Sequence, residues 1–417
     1  MKQKEELQKN KDFDKVVYVP VLNGSILNCA LRDDLFIDGK RATFYTKDGI
    51  FKHNTYLINP YHHADIFKRV KDKGLLLDDS VIMADSGGLQ EITLNEVKYS
   101  PEEVFKWQQE HTHMGFCVDS LPFITPKDGT NKPGSFGGWL FDKKNFIKHA
   151  EKTRDNIQVT KKHRDPNKKF NFYGIIQGRN YNEYKQWLEV IRDDSYLEGY
   201  CVKAPNVNPI TLAETCIFAI HNLVKPVHFL GIGNLSRSIV IYYANKYIKQ
   251  TITFDSSSYD IGTQYRSYLL PFMMNRKLRF VSEHNLGEDS EICNKNDVIH
   301  LEDANSICDC VACRAMGNRL GEMIRKNDPI LGSLISVHNL ILNIRWTNYV
   351  KSIIDNKHKL REFVQFNFEP NLAQKILTAF DMIDLSVEKS PEHALHTFKE
   401  HMQTNKEVGK QSGIFDF

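Results

Sequence analysis

The 417-residue chain has no uninterrupted apolar run long enough to cross a bilayer, which excludes a helical membrane protein. Its opening residues, Met1-Lys2-Gln3-Lys4-Glu5-Glu6, are too charged for a signal peptide, so a cytoplasmic protein is expected. It also lacks a disulfide framework. Of eight cysteines, three crowd into Cys308-Asp309-Cys310-Val311-Ala312-Cys313, while Cys29, Cys117, Cys201, Cys216 and Cys293 stand apart. That distribution suits a reducing compartment and a single metal site. Net charge is only +3, too little for the whole surface to act as an electrostatic glue for nucleic acid. There is no internal repeat and no low-complexity tract.

What is present is the composition of a soluble globular protein, 41% hydrophobic and 26% charged, long enough for one large α/β barrel with additions or for two ordinary domains. Charge is unevenly spread. Between Lys127 and Lys169 there are 12 Lys and Arg against 5 Asp and Glu, a local excess of +7. A solvated basic surface is the ordinary meaning of such a run, and a phosphate-binding face the sharper one.

The segments Lys15–Leu22 and Ala42–Tyr45 read as strands. Apolar, strand-like runs then recur, each ending in a polar residue or glycine: Val81–Asp85, Gly115–Asp119, Phe172–Gly178, Gly199–Ala204, Val227–Gly233 and Thr251–Ser256. Helix-compatible sequence separates most of them. Ser100-Pro101-Glu102-Glu103 is a helix start, with Ser as N-cap, Pro in the first turn and acids after it. Leu235–Lys249 reads as an amphipathic helix, and the chain past Cys313 as helical through Arg345. This alternation predicts an α/β fold with a parallel sheet, best closed as a (β/α)8 TIM barrel with a zinc-binding subdomain near the C-terminus. A doubly wound open sheet is the alternative, but it gathers fewer strand ends into one crevice. We expect residues 1–290 to form the barrel, with a basic insertion at about 127–170. Residues 291–345 would form the zinc subdomain, and residues 346–417 C-terminal helices and a tail that is mobile from Thr404.

Val81-Ile82-Met83-Ala84-Asp85-Ser86-Gly87-Gly88-Leu89-Gln90 delivers an acid from an apolar strand to a glycine-rich turn, a costly arrangement unless the acid acts there. Asp255 ends a later strand in the same way. Two acids at strand ends can flank a glycosidic carbon, one as nucleophile and the other as acid/base, and spacing alone leaves the roles open. Asp119 and Gln177 add the donors and acceptors needed to read a purine edge. Cys308-x-Cys310-x-x-Cys313 with His338 downstream is a closed tetrahedral donor set for a structural Zn2+.

Asp85-Ser-Gly-Gly-Leu-Gln90, Gly174-Ile-Ile-Gln-Gly178, Phe229-Leu-Gly-Ile-Gly233, Phe254-Asp255 and the cysteine set ending at His338-Asn339-Leu340 resemble, in order, the tRNA-guanine transglycosylase superfamily. Asn54-Thr55-Tyr56-Leu57 resembles an early motif of the same family. The resemblance spans about Asn54 to Leu340 and implies exchange of a guanine in nucleic acid for a 7-deazaguanine. It implies Asp255 as the nucleophile that holds the sugar C1′ covalently, and Asp85 as acid/base. Ser86, Gly87, Gly88, Asp119, Gln177, Gly178, Gly231 and the backbone around Ala204 would bind the base, with Leu89 and Leu230 covering its faces.

The chain also departs from that pattern. Bacterial tRNA enzymes show Gly-Gly-Leu-Ala-Val-Gly-Glu where this chain has Lys203-Ala204-Pro205-Asn206-Val207-Asn208-Pro209. Losing that glutamate favours a neutral 7-substituent, as in 7-cyano-7-deazaguanine (preQ0). Leu89 replaces an aromatic residue, and Ser257-Ser258-Tyr259 replaces the Pro-Thr-Arg element that reads the anticodon loop. The residues after His338 are too few for an archaeal-type RNA-binding domain. These features resemble the DNA-guanine transglycosylases (DpdA type) of DNA-modification systems. DNA is therefore the expected polymer, with a flipped-out guanine, and tRNA the alternative. The Lys127–Lys169 surface and Arg276-Lys277-Arg279 are candidate phosphate contacts. An ATPase partner and a homodimer are left open, as is a non-catalytic subunit role, against which the retention of both Asp85 and Asp255 argues.

Overall fold

The computed structural model describes residues 16–87, 100–124, 140–203, 208–233, 235–256, 259, 267–270, 273–279, 304–306, 308–326 and 328–399, and the statements below concern these. Eight parallel strands close into a barrel: β1 (Val16–Leu22), β2 (Thr55–Ile58), β3 (Val81–Ala84), β4 (Met114–Phe116), β5 (Asn171–Ile176), β6 (Gly199–Lys203), β7 (Val227–Leu230) and β8 (Ile252–Ser256). Each strand pairs with its neighbours in sequence, and β8 returns to β1 with Val19 opposite Asp255. Strand residues are almost all buried, as expected where helices cover the outer face and side chains fill the inside.

A short helix, Gly24–Cys29, follows β1, and the longer helices between strands are α1 (Pro60–Asp72), α2 (Pro101–His111), α3 (Phe146–Thr160), α4 (Tyr181–Ile191), α5 (Pro209–Asn222) and α6 (Leu235–Ala244). Local chemistry sets where they begin. Ser100 accepts from the Glu103 N–H at 3.4 Å ahead of Pro101, as expected. Asn180 caps α4 through the Glu183 N–H, and Asn208 caps α5 through the N–H groups of Ile210 and Thr211, with Pro209 in the first turn. Helix α6 stops at Ala244, short of the expected Lys249, where the chain turns.

One expectation is corrected. Ala42–Tyr45 is a buried loop and not a strand; its apolar residues pack on the core while the Thr43 and Thr46 hydroxyls bond to each other at 2.5 Å. Burial, not a ladder, explains its hydrophobicity. Within the basic segment expected at about 127–170 as a loop plus helix, α3 is the helix between β4 and β5. The insertion is bracketed by a short antiparallel pair, Phe123–Ile124 with Leu140–Phe141, and residues 125–139 lie outside the described set.

Beyond the barrel, a hairpin of β9 (Ser267–Leu270) and β10 (Met273–Arg279) precedes α7 (Val311–Met316), the 25-residue α8 (Pro329–Ile353), α9 (Lys357–Asn367), α10 (Pro370–Glu388) and α11 (Pro391–Thr397). Helix α8 runs through residue 345, so the cysteine segment and the C-terminal helices share one rigid element. Helix α10 packs on α5 and α6. Its Asp384 accepts from the hydroxyls of Tyr243 and Tyr247 and from Lys357, and Phe380 stacks on Tyr243 at 4.1 Å. The tail from residue 400, like residues 1–15, lies outside the described set. No helix among the described residues is long and apolar enough to cross a membrane.

Candidate active site and metal centre

The site residues stand at the C-terminal ends of successive strands, the end at which barrels of this kind carry their chemistry. Asp85 follows β3, Asp119 lies three residues past β4, Gln177 follows β5, Lys203 ends β6, Leu230 ends β7 and Asp255 lies in β8. The half-buried Asp85 takes the Ser86 N–H on Oδ1 at 2.7 Å. Gln108, fully buried on α2, donates to the Asp85 and Phe116 carbonyls at 3.0 Å each and so clips the ends of β3 and β4 together. Burial pushes the Asp85 carboxyl up to about 6, helped by the Asp255 and Asp119 charges and opposed by the Ser86 N–H and Lys203. Their places at the ends of β3, β4, β6 and β8 set Asp85, Asp119, Lys203 and Asp255 around one barrel mouth.

Gln177 Nε2 donates to Asp119 Oδ2 at 2.6 Å, and the Ser86 hydroxyl donates to Oδ1 at 3.3 Å. These bonds hold a carboxylate and an amide side by side, and the Gln177 amide has no second hydrogen-bond partner among the described residues. Burial raises the Asp119 carboxyl above its ordinary range despite them. Asp255 Oδ1 accepts the Gly231 N–H at 2.8 Å, and His228 Nε2 lies 3.1 Å from the same oxygen. Gly231 has φ +72°, a conformation that turns its N–H toward the carboxylate and that favours glycine. Gly87 likewise has φ +74°, but Gly178 is small for another reason: a Cβ there would meet the Tyr184 ring at 2.8 Å. Gly88, Leu89 and Ala204 lie outside the described residues.

Sequence reasoning passed over Lys203, His228 and Arg237. The half-buried Lys203 Nζ comes within 3.4 Å of where a Gly231 Cβ would lie, and its charge holds both Asp85 and Asp119 down. Arg237, buried at the start of α6, is lowered to about 10 by its burial against the opposing pull of Asp255. The signal for His228 was a polar residue inside the apolar Val227–Leu230 strand.

The candidate phosphate contacts divide. Because α3 runs back from the mouth, Lys161, Arg164 and Lys168 sit at the opposite end of the barrel. There they pair with Asp193, Glu198 and Glu110, all in segments leading into strands. Lys143, Lys144 and Lys148, exposed at the mouth end of α3, have no ion-pair partner among the described residues. Arg276, Lys277 and Arg279 are placed on β10.

At the C-terminal side, one ligand atom each from Cys308, Cys310, Cys313 and His338 lies within 4.8 Å of the others, and all four residues are buried. His338 Nδ1 is 3.3 Å from Cys310 Sγ and 3.2 Å from Cys313 Sγ, while its Nε2 donates to the Leu269 carbonyl at 2.9 Å. The lone pair therefore faces the sulfurs, the orientation a metal-binding imidazole needs. Hydrogen bonds from Cys310 and Cys313 favour the Cys308 thiolate, and Arg345 lies beside it. This buried Cys3His cluster could hold a metal ion, and its soft, closed donor set fits zinc.

Asp85's raised carboxyl predicts a pH signature. Its folded pKa exceeds its unfolded value, so the folded state binds the extra proton between about pH 4 and 6, and stability falls as pH rises through that window. Asp85→Asn should remove this loss, on the order of 1–2 kcal/mol after allowing for the group's partial exposure. Urea denaturation of both proteins from pH 4 to 7 measures it; parallel curves would refute the raised carboxyl.

No protein-family model matches the chain. Among curated proteins, a queuine tRNA-ribosyltransferase of Prochlorococcus marinus (strain MIT 9301) is 24% identical over 287 residues, 66% of this chain and 70% of that protein. A second one, from strain MIT 9215, is 25% identical over 199 residues, 46% of this chain and 47% of its own length. A tRNA-guanine(15) transglycosylase of Methanococcus aeolicus is 22% identical over 322 residues, 72% of this chain and 41% of that protein. These distant relatives support the likeness to the tRNA-guanine transglycosylase superfamily.

Proposed function

We propose that the chain is a guanine transglycosylase that exchanges a base in nucleic acid through a covalent glycosyl-aspartate intermediate. The observation that carries this is the pairing of two unlike acids across one barrel mouth. The environments of the two differ: Asp255 Oδ1 accepts the Gly231 N–H at 2.8 Å, whereas burial pushes Asp85 toward the protonated form. Such a split is what separates a nucleophile from an acid/base. Asp255 attacks C1′ as Asp85 protonates the departing guanine, and the ionised Asp85 then takes a proton from the incoming base. Asp119 and Gln177, already bonded to each other, accept from and donate to the purine edge. Leu230, with Leu89, covers its faces, while Ser86 supports Asp119.

The names of the relatives support tRNA as the polymer, the alternative in the reading of the sequence. DNA remains the second reading because of two particular positions. Tyr259 stands where tRNA enzymes present an anticodon-reading element, yet here it is fully buried, donating its hydroxyl to the Val21 carbonyl at 2.6 Å. Pro209, in place of the glutamate, is spent on starting α5. Without that glutamate, and with the Lys203 ammonium near the site, a neutral acceptor such as the cyano group of preQ0 suits the pocket better than a cationic aminomethyl group. Zinc in the Cys3His cluster would be structural, with no position open for a substrate.

Labelled guanine exchange into tRNA and into duplex DNA tests the reading. Label in tRNA alone supports the first polymer, and label in DNA alone the second. Label in neither, with intact folded protein, refutes the transglycosylase.

A further inference from the structure

His228 has no exposure at all, yet it is a polar ring in the interior of the barrel. Its ring lies 4.8 Å from that of Phe116, on a strand three places away around the barrel, so both point inward beneath the site. A buried imidazole is costly unless both nitrogens are satisfied. Both are. Nδ1 lies 2.8 Å from Thr253 Oγ1, and Nε2 3.1 Å from Asp255 Oδ1. The register explains why: His228 lies directly opposite Thr253, and Asp255 is two residues further along the same face of β8.

We propose that His228 is the positioning residue of the nucleophile: with Thr253 fixing its ring, it donates Nε2–H to Asp255 Oδ1 and leaves Oδ2 as the attacking oxygen. This rests on the reading of Asp255 as the nucleophile. A carboxylate can only accept, so the hydrogen between these groups belongs to Nε2. Together with the Gly231 N–H, His228 gives Oδ1 two donors, whereas Oδ2 has no hydrogen-bond partner among the described residues. The Oδ2–C1′ bond forms as the C1′–N9 bond breaks. The electron pair of the broken bond leaves with guanine, which takes its proton from Asp85. Oδ1 becomes the ester carbonyl and keeps both donors. When the incoming base displaces Oδ2, negative charge returns to the carboxylate, and the same two donors stabilise it. His228 touches neither the sugar nor the base, and acts only through Asp255.

The test compares His228→Phe, His228→Gln and Thr253→Val by the single-turnover rate of adduct formation on the nucleic acid that the wild type accepts. A glutamine amide nitrogen can reach the Nε2 position; a phenyl ring fills the space without a donor. His228→Phe should slow adduct formation about a hundredfold, with KM for the free base changed by less than about twofold. His228→Gln should recover all but about tenfold, and Thr253→Val should lose about tenfold. A His228→Phe rate within about twofold of wild type, or a His228→Gln rate as slow as that of Phe, overturns the proposal. If His228→Phe does not fold, Thr253→Val decides: a loss supports the positioning role and an unchanged rate overturns it. If the wild type forms no adduct, the transglycosylase reading fails. Crystal structures of the wild type and His228→Gln or Thr253→Val then judge the geometry alone: Asp255 anchored through Oδ1 only while the His228 chain or its Gln substitute is intact supports it, and Asp255 indifferent to both changes overturns it.

Discussion

Asp255→Asn should keep the fold and lose the covalent adduct, with base exchange falling at least about a thousandfold. The asparagine carbonyl can still accept the Gly231 N–H, and β8 remains paired with β1 through Val19. Little stability is therefore at stake, and melting should stay close to wild type. What disappears is the second carboxylate oxygen. An amide has no anionic atom to bond to C1′, so guanine cannot be displaced onto the enzyme. Asp85→Asn should behave differently. It preserves a competent nucleophile but cannot deliver a proton to the leaving base, so the adduct should form slowly. Denaturing gels of each variant incubated with labelled nucleic acid separate the two roles. An adduct that survives Asp255→Asn but disappears in Asp85→Asn would reverse the assignment.

The barrel was legible because each strand carries its own signal: an apolar run short enough for a strand, then a residue that no core would want. Asp85, Gln177 and Asp255 are such residues, and all three stand at the mouth. The metal cluster was legible for a similar reason, since Cys308, Cys310 and Cys313 are adjacent in sequence and only His338 comes from afar. His228 was not. Its function depends on lying opposite Thr253 in a neighbouring strand, and register between strands is a tertiary property that one sequence does not display. Charge along the chain misled for the same reason. Lys143 and Lys168 belong to one basic run, but α3 carries the chain from one end of the barrel to the other, and Lys168 is bound to Glu110. Ala42–Tyr45 failed because burial and strand formation leave the same apolar trace in a short segment.

Removing metal should unfold a defined part of the molecule and not merely slow its chemistry. The cluster ties three things together. Cys310 caps α7 by accepting from the Cys313 N–H, and His338 brings in the long helix α8. Through its other nitrogen His338 holds the Leu269 carbonyl of the hairpin strand β9. The next residue, Asn339, accepts from the Leu269 N–H at 2.9 Å and donates to the Tyr259 carbonyl at 3.2 Å. Tyr259 lies four residues past Asp255, so the cluster is linked to the end of β8 through the Asn339 side chain. Without a cation, three buried sulfurs repel one another once ionised and are poorly satisfied when neutral. Structural zinc in small peptides contributes about 10–16 kcal/mol. Even a fraction of that should lower the melting temperature by about 10 °C or more. Chelation, or His338→Ala, should therefore raise amide exchange in 267–270, 308–316 and the first turns of α8, while β4 to β7 keep their protection. Adduct formation should fail with it, because the segment after β8 loses its anchor. Loss of activity with unchanged melting and exchange would mean that the ion acts on the substrate and not on the fold.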